Sequence, residues 1–386
     1  MYYYIYADKD ATIYSEVDND WYKRNTGIDE ILELQKKTSP PYDVAQPENS
    51  RILLKFDLTE VSKSMNTNQI DSGSTFNLKL YTARPSELPL SYSIEAYPIS
   101  GSWGMGLGKK YYSPAIKDGV SWKYRTGETT GDEWLTSSFA VDSKSTGSVG
   151  SMTVGGGNWF TGSGISTQTF EYESADINVG VDTIVQSWLS SSIVNEGFII
   201  KRSDTDEQSS ANQGILTFFS RDTHTIYPPR LEIKWDDSKW NPTSSIQELN
   251  QSYGTASLDS SPIVYIKGRG RTFKEKSKIK FRVYARDRYK TPKATVGKYE
   301  MFKHYYLPSG SSYYSIKDTV TEETIIPFSD ESKLSADTTS NYFNFWMNGL
   351  QPERYYRVLI KAVSGSGTSD EVVQYYDDNF TFKVVR

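Results

Sequence analysis

Hydrophobic and polar positions alternate along most of this chain with a period of two. From 51 to 58, Ile52, Leu54, Phe56 and Leu58 alternate with Arg51, Leu53, Lys55 and Asp57. Successive side chains of a strand point to opposite faces, so this pattern predicts a core strand. Shorter alternations at Leu78/Leu80, Ile94/Ala96, Ile215/Thr217/Phe219 and Leu231/Ile233/Trp235 predict further strands. The turn-rich segments between them suit a sandwich or barrel. One stretch carries the helical period instead: Val181, Ile184, Val185, Trp188 and Leu189 fall at i, i+3, i+4, i+7 and i+8. It predicts a short helix over 182–190, N-capped by Asp182 and covering one end of the sandwich.

Two segments break the alternation. Between 143 and 168, 17 of 26 residues are Gly, Ser or Thr, which predicts a long loop. Residues 237–261 are polar without a sustained apolar period and read as a linker. Beyond it the period of two returns. Ile279, Phe281, Val283 and Ala285 face one way, and Lys278, Lys280, Arg282, Tyr284, Arg286 and Arg288 the other. At 355–363, Tyr356, Val358, Ile360 and Ala362 make another core face, and 341–347 and 372–385 add strands. The expected organisation is all-β: an N-terminal β-sandwich domain over 1–236, the linker, and a second domain over 262–386 of immunoglobulin-like size.

Composition narrows the chemistry. Aromatic residues make up 14% of the 386 positions, including 29 Tyr, which marks a folding chain rather than a disordered one. Cysteine is absent, which removes disulfides, thiolate metal sites and a Cys nucleophile. The two histidines, His224 and His304, are too few for a three-His metal site. The first residues carry neither a basic region nor an apolar run of signal-peptide type, and no stretch reaches the 18 or so apolar residues of a spanning helix. A net charge of −5 argues against a general nucleic-acid binder.

Candidate catalytic motifs fail on inspection. In the glycine-rich run from Gly101 to Lys110, a phosphate loop needs Gly at 103 and Ser or Thr at 110, where Trp103 and Lys110 stand. A dinucleotide fingerprint needs Gly at 109, which is Lys109. The glycines around 147–150 lack the spacing of a nucleophile elbow. Acidic pairs at Asp8/Asp10, Asp18/Asp20 and Asp204/Asp206 match no EF-hand, although calcium could be held between distant segments. No enzyme activity, cofactor or metal is expected. The strongest charge feature is 267–303, with 14 Lys or Arg against 3 Asp or Glu. Its cations Lys278, Lys280, Arg282, Arg286 and Arg288 fall on one face of a predicted strand, either blunting a sheet edge or awaiting an acidic partner. These five, with Trp159, are the expected assembly contacts. Trp103, Trp122 and Trp134 in loop-rich sequence are candidates for stacking on sugar rings, against the alternative that they plug loops into the core.

Several separated elements give the N-terminal part a family likeness. They are Ala7-Asp8-Lys9-Asp10-Ala11-Thr12-Ile13, Asn25-Thr26-Gly27, Ser50-Arg51-Ile52-Leu53-Leu54-Lys55-Phe56-Asp57-Leu58, Trp103, Trp122, Trp134, Gly155 to Trp159, Asp182-Thr183-Ile184-Val185 with Trp188, Asn195-Glu196-Gly197-Phe198, Phe218-Phe219-Ser220-Arg221 and Pro229-Arg230-Leu231-Glu232-Ile233. In this order they resemble the DNRLRE-type jelly-roll domain, a carbohydrate-binding-module-like sandwich, which implies structural roles for Arg51 and Asp57. The phrase Gly349-Leu350-Gln351-Pro352-Glu353-Arg354-Tyr355-Tyr356 resembles the turn-and-tyrosine element of immunoglobulin and fibronectin-III modules. The longer run from Asn341 to Tyr356, with the ending Phe380 to Arg386, is similar to virion proteins of tailed bacteriophages, the crAss-like phages above all. That resemblance implies a structural protein in the virion, a ring at the head–tail junction or tail. Its partners would be other copies of itself and virion proteins near the portal or tail, with no membrane and no direct nucleic-acid contact. The alternative is a carbohydrate-binding adhesin or fibre module.

Overall fold

Every alternating segment singled out above contains a strand in a computed structural model of the chain, although the strands end short of Phe56–Leu58 and of Arg288. The structure describes all residues except 17, 38–47, 135–143, 147–154, 163, 172–174, 210, 250–261, 268–269, 290–303 and 366–370. The fold is all-β and built of β-sandwiches, and the chain divides into two units, Tyr4–Ile233 and Lys234–Arg386, the latter joined by Met1–Tyr3.

The N-terminal unit is a jelly-roll sandwich. Its larger sheet runs Ser166–Glu171, Ser91–Pro98, Phe198–Arg202, Glu48–Lys55, Ile31–Lys37, Gly214–Phe219, Thr82–Ser86, with Lys9–Tyr14 also on Glu48–Lys55. The facing sheet contains Thr75–Leu80 between Arg230–Lys234 and Ile177–Gly180. Strand Glu48–Lys55 is central, and it is buried on both faces: Ile52 and Leu54 on one, Arg51 and Leu53 on the other. The second face is covered by long connections, one of which carries a short two-stranded sheet. Trp103, Trp122, Trp134 and Trp159 pack there with Ala11, Ile13, Leu53 and Ile199.

A charge sits inside this cluster. The Arg51 guanidinium donates from Nε and Nη2 to the two carboxylate oxygens of Glu207, at 2.9 and 2.5 Å. Its Nη1 donates to the carbonyl of Gly156 at 2.6 Å. Its carbon lies 4.7 Å from the Trp122 ring and 5.1 Å from the Trp159 ring. Lys201, also fully buried, donates to Asp204 at 2.6 Å and to its neighbour's carbonyl, that of Arg202, at 2.8 Å. Bidentate pairing satisfies both partners, which is the condition for burying an ion pair at all. The run Gly155-Gly156-Gly157 serves this centre. All three residues have positive φ, and a Cβ on Gly155 would come within 2.1 Å of the Trp122 carbonyl oxygen. The glycine-rich run 101–110 has a comparable anchor in Asn25. That side chain donates to the carbonyls of Met105 and Val120 and accepts from the N–H groups of Gly27 and Gly108.

Four expectations need correction in detail. The helix is there, Asp182–Leu189, but Val181 is its N-cap; the Asp182 carboxylate accepts from the Phe76 N–H at 2.7 Å instead, tying the helix to strand Thr75–Leu80. In Gly214–Phe219 the buried face is Leu216 and Phe218, not Ile215, Thr217 and Phe219, which are half-buried on the other side. The span 143–168 is not wholly loop: Lys144–Thr146 pairs with Asn158–Phe160, and strand Ser166–Glu171 begins within it; 147–154 lie outside the described residues. The span 237–261 is not a linker throughout. Trp240 bridges to Ala336, Gln247–Glu248 pairs with His304–Tyr306, and Leu249 is buried, so residues 234–249 belong to the C-terminal unit. Two apolar side chains in a polar stretch suffice to dock it, and too few to make a period.

The C-terminal unit is an immunoglobulin-like sandwich. One sheet has Lys278–Arg286 between Ile263–Lys267 on one side and Asn341–Trp346 with His304–Tyr306 on the other. The second has Tyr355–Ser364 between Ser312–Asp318 and the pair Val372–Tyr376 and Thr381–Val385, with Thr272–Lys274 parallel on Thr381–Val385. Phe281, Phe343, Tyr314, Tyr356 and Phe382 fill the space between, with Tyr314 stacked on Phe343 at 4.1 Å. The Tyr356 hydroxyl donates to the Gln351 carbonyl at 2.9 Å. This is the tyrosine corner of the fold class, closing the turn into the late strand.

Three outcomes follow. Arg51→Ala leaves Glu207 buried and is expected to cost about 3–5 kcal/mol in denaturant unfolding followed by tryptophan fluorescence; a loss under about 1 kcal/mol would refute the role given to Arg51. Tyr356→Phe is expected to cost about 1 kcal/mol, with the calorimetric transition of the C-terminal unit moving and that of the other staying. The third concerns Asp10, which is 1% exposed and accepts from the Arg221 N–H at 2.6 Å. Burial, reinforced by Asp222, pushes its carboxyl up to about 7 against that hydrogen bond. The folded chain keeps this proton to about pH 7, whereas an unfolded aspartate releases it near pH 4. The group's contribution to stability is therefore complete below about pH 4 and lost as the pH rises to 7. Asp10→Asn should gain on the wild type between pH 5 and 8, on the order of 2–3 kcal/mol; a pH-independent difference would contradict it.

Candidate functional site: a cationic and aromatic sheet face

Strand Lys278–Arg286 buries Phe281, Val283 and Ala285 and turns Lys278, Lys280, Arg282, Tyr284 and Arg286 outward. Antiparallel register fixes their neighbours. Lys278 lies opposite Trp346, Lys280 opposite Asn344 and Arg282 opposite Tyr342 on one side; Arg282 lies opposite Lys267, and Tyr284 opposite Tyr265, on the other. Lys280 Nζ sits 3.5 Å from the Tyr342 ring centroid and Lys278 Nζ 5.0 Å from that of Trp346. Tyr265 and Tyr284 stack at 5.6 Å, with His304 edge-on to Tyr284 at 6.2 Å. Two of the cations of this row lie on rings, and the strand is hydrogen-bonded in the sheet to a neighbour on each side.

One carboxylate answers two of these cations. Asp337, on the turn after the short strand Ser335–Ala336, accepts from Lys280 at 2.8 Å and from Arg282 at 3.0 Å, and Arg282 also donates to the Ser340 hydroxyl. Burial works to raise the Asp337 carboxyl. The hydrogen bonds from Arg282, from Lys280 and from the Thr339 and Ser340 N–H groups outweigh it and hold the group well below the usual carboxylate range.

The structure brings together four of the five predicted cations. Arg288 falls two residues past the strand's end and is exposed there. The strand has a neighbour on each side, so the row does not blunt a sheet edge. Trp159 belongs to the other unit and is 2% exposed, so it offers no contact surface. Trp103, Trp122 and Trp134 lie in the same core and present no ring to a sugar; the Trp103 and Trp134 indoles donate inward, to the carbonyls of Glu196 and Ser121. Sequence reasoning missed Asp337, Tyr342 and Tyr265. Their partnership with the cations depends on cross-strand register between segments up to about 60 residues apart, and no local spacing announces it.

The two units differ in charge. Residues 1–233 hold 20 Lys and Arg against 30 Asp and Glu, a net of −10; residues 234–386 hold 23 against 18, a net of +5. The cationic face thus belongs to a basic unit carried by an acidic one.

The N-terminal unit has an open groove of about 560 Å³ lined by Asp8, Lys55, Asp57, Lys63, Trp188 and Asn195 among others. Its polar groups are engaged in holding the fold. Asp57 accepts from the N–H and hydroxyl of Thr59, Lys55 pairs with Glu196 at 2.9 Å, and Asn195 donates to the Phe56 carbonyl. Among the described residues no three His, Cys, Asp or Glu side chains are grouped to hold a metal, and no helix is long and apolar enough to cross a membrane. His224 stands exposed in a turn and His304 exposed on its strand.

No protein-family model matches this chain, and no curated protein sequence matches it.

Proposed function

We propose that the chain is a non-enzymatic structural component of a tailed-bacteriophage virion, present in multiple copies as a ring at the head–tail junction or tail. The observation that carries the reading is the division of labour between charge inside and charge outside. Buried ionisable groups such as Arg51, Glu207 and Lys201 are consumed by mutual pairing. In the C-terminal unit, four cations of one strand are set outward among aromatic rings on a single sheet face. Rigid sandwiches with a preformed polar and aromatic face suit lasting protein–protein contact, where aromatic and Arg side chains anchor the interface. The phrase from Asn341 to Tyr356 supplies the phage part of the reading, and it includes the strand Asn341–Trp346 that lies beside the cations. A sugar-binding adhesin loses its support where Trp103, Trp122 and Trp134 are buried.

Quantitative mass spectrometry of gradient-purified particles from the source tests the proposal. Roughly a dozen copies per particle, or a small multiple, is the expected result for a closed ring. Absence from particles would overturn it.

A further inference from the structure

We infer that the outward face of Lys278–Arg286 and its two neighbouring strands docks on the acidic N-terminal unit of a second copy of this chain, in a head-to-tail contact. The inference rests on the multi-copy reading above and names the surface and the partner. Charge complementarity within the sequence selects the occupant. The basic unit carries +5 and the acidic one −10, so each copy holds both halves of an attractive pair. A face-to-face contact between two basic faces would set like charges against each other, whereas a contact between unlike surfaces is heterologous, the kind that closes into rings or runs on as filaments.

Asp337 shows what the face recognises. Lys280 and Arg282 converge on a single carboxylate from two strand positions, at 2.8 and 3.0 Å. That is the geometry an incoming Asp or Glu would find, and Asp337 occupies it in the free chain. A partner's carboxylate therefore competes with Asp337, which tempers the contact. Lys278 and Arg286 extend the row to either side, and the half-buried Tyr342 and Trp346 give it apolar ground.

The same geometry disfavours single-stranded nucleic acid. Base stacking needs open ring faces. Here Lys280 caps Tyr342, Lys278 lies by Trp346, and Tyr265 and Tyr284 stack on each other.

The test uses the full chain in sedimentation velocity over a range of concentrations, at low and high salt. The wild type is expected to associate as concentration rises, with association falling as salt screens the contact over a Debye length of about 8 Å at physiological strength. The double variant Lys278→Glu, Lys280→Glu should associate at least tenfold more weakly, with unchanged circular dichroism. Asp337→Asn keeps the oxygen that accepts from Thr339 and Ser340 but removes the competing charge. It should associate several-fold more tightly, a gain that no folding defect produces. Labelled double variant should still be captured by wild-type chain, because its acidic unit is intact. A chain that stays monomeric at every concentration would overturn the inference. So would association indifferent to salt and to the double variant, weaker association of Asp337→Asn, or failure of the wild type to capture the labelled variant. Tighter binding of a single-stranded oligonucleotide than of a second copy would do the same. Sedimentation reads this contact and particle composition reads the virion role, so each can fail alone.

Discussion

A guanidinium without water is the constraint around which the N-terminal unit is organised. Arg51 projects from the central strand into the tryptophan cluster formed by the connections packed on this face. Left alone there, its charge would be intolerable; it is made tolerable by Glu207, by a backbone carbonyl and by two indole faces. Those partners come from three separate connections. Glu207 lies in the five-residue helix Asp204–Gln208, Gly156 and Trp159 belong to the Gly-Ser-rich segment, and Trp122 to the long excursion after the strand Ser91–Pro98. The loops are thereby pulled onto the sheet and serve as its second layer. The groups most suggestive of chemistry, a buried ion pair amid tryptophans, are explained by this architecture.

How far the sequence disclosed this is best seen in particular elements. The alternations at 51–58, 278–286 and 355–363 announce strands because a period of two has one physical cause, and the helix Asp182–Leu189 because its five apolar residues share one stripe. At 215–219 the alternation is weak because both faces carry apolar residues, so the pattern alone does not say which face is buried; a register shift against the neighbouring strand at Thr217/Phe218 adds to the ambiguity. Tyr356 was readable because a tyrosine corner is a local device spanning six residues. The pairing of Asp337 and Tyr342 with the cations was not, and the burial of Trp103, Trp122 and Trp134 stood only as one of two readings, since each depends on contacts between distant segments.

The two units also handle charge differently. In the N-terminal unit, ionic groups are drawn inward and neutralised at short range. In the C-terminal unit the core is rich in stacked aromatic rings, from Phe281 and Phe343 to Phe382, and strand Lys278–Arg286 keeps its cations on the outside of the sheet. A strand that must be apolar on one side and cationic on the other is well served by alternating Lys or Arg with Phe, Val and Ala, since long side chains lie along ring faces while their heads stay wet.

The Gly155-Gly156-Gly157 run has a last consequence, for how such a chain tolerates change. By composition it belongs to the least informative part of the sequence, the kind of stretch in which substitutions are presumed harmless. Sterically it is among the least forgiving: a single methyl at Gly155 lands on a carbonyl oxygen, in a backbone conformation that side chains rarely adopt. Monotony of composition here records crowding rather than slack. The places where this protein can drift freely are better sought among its varied, exposed surface residues than in its simplest segment.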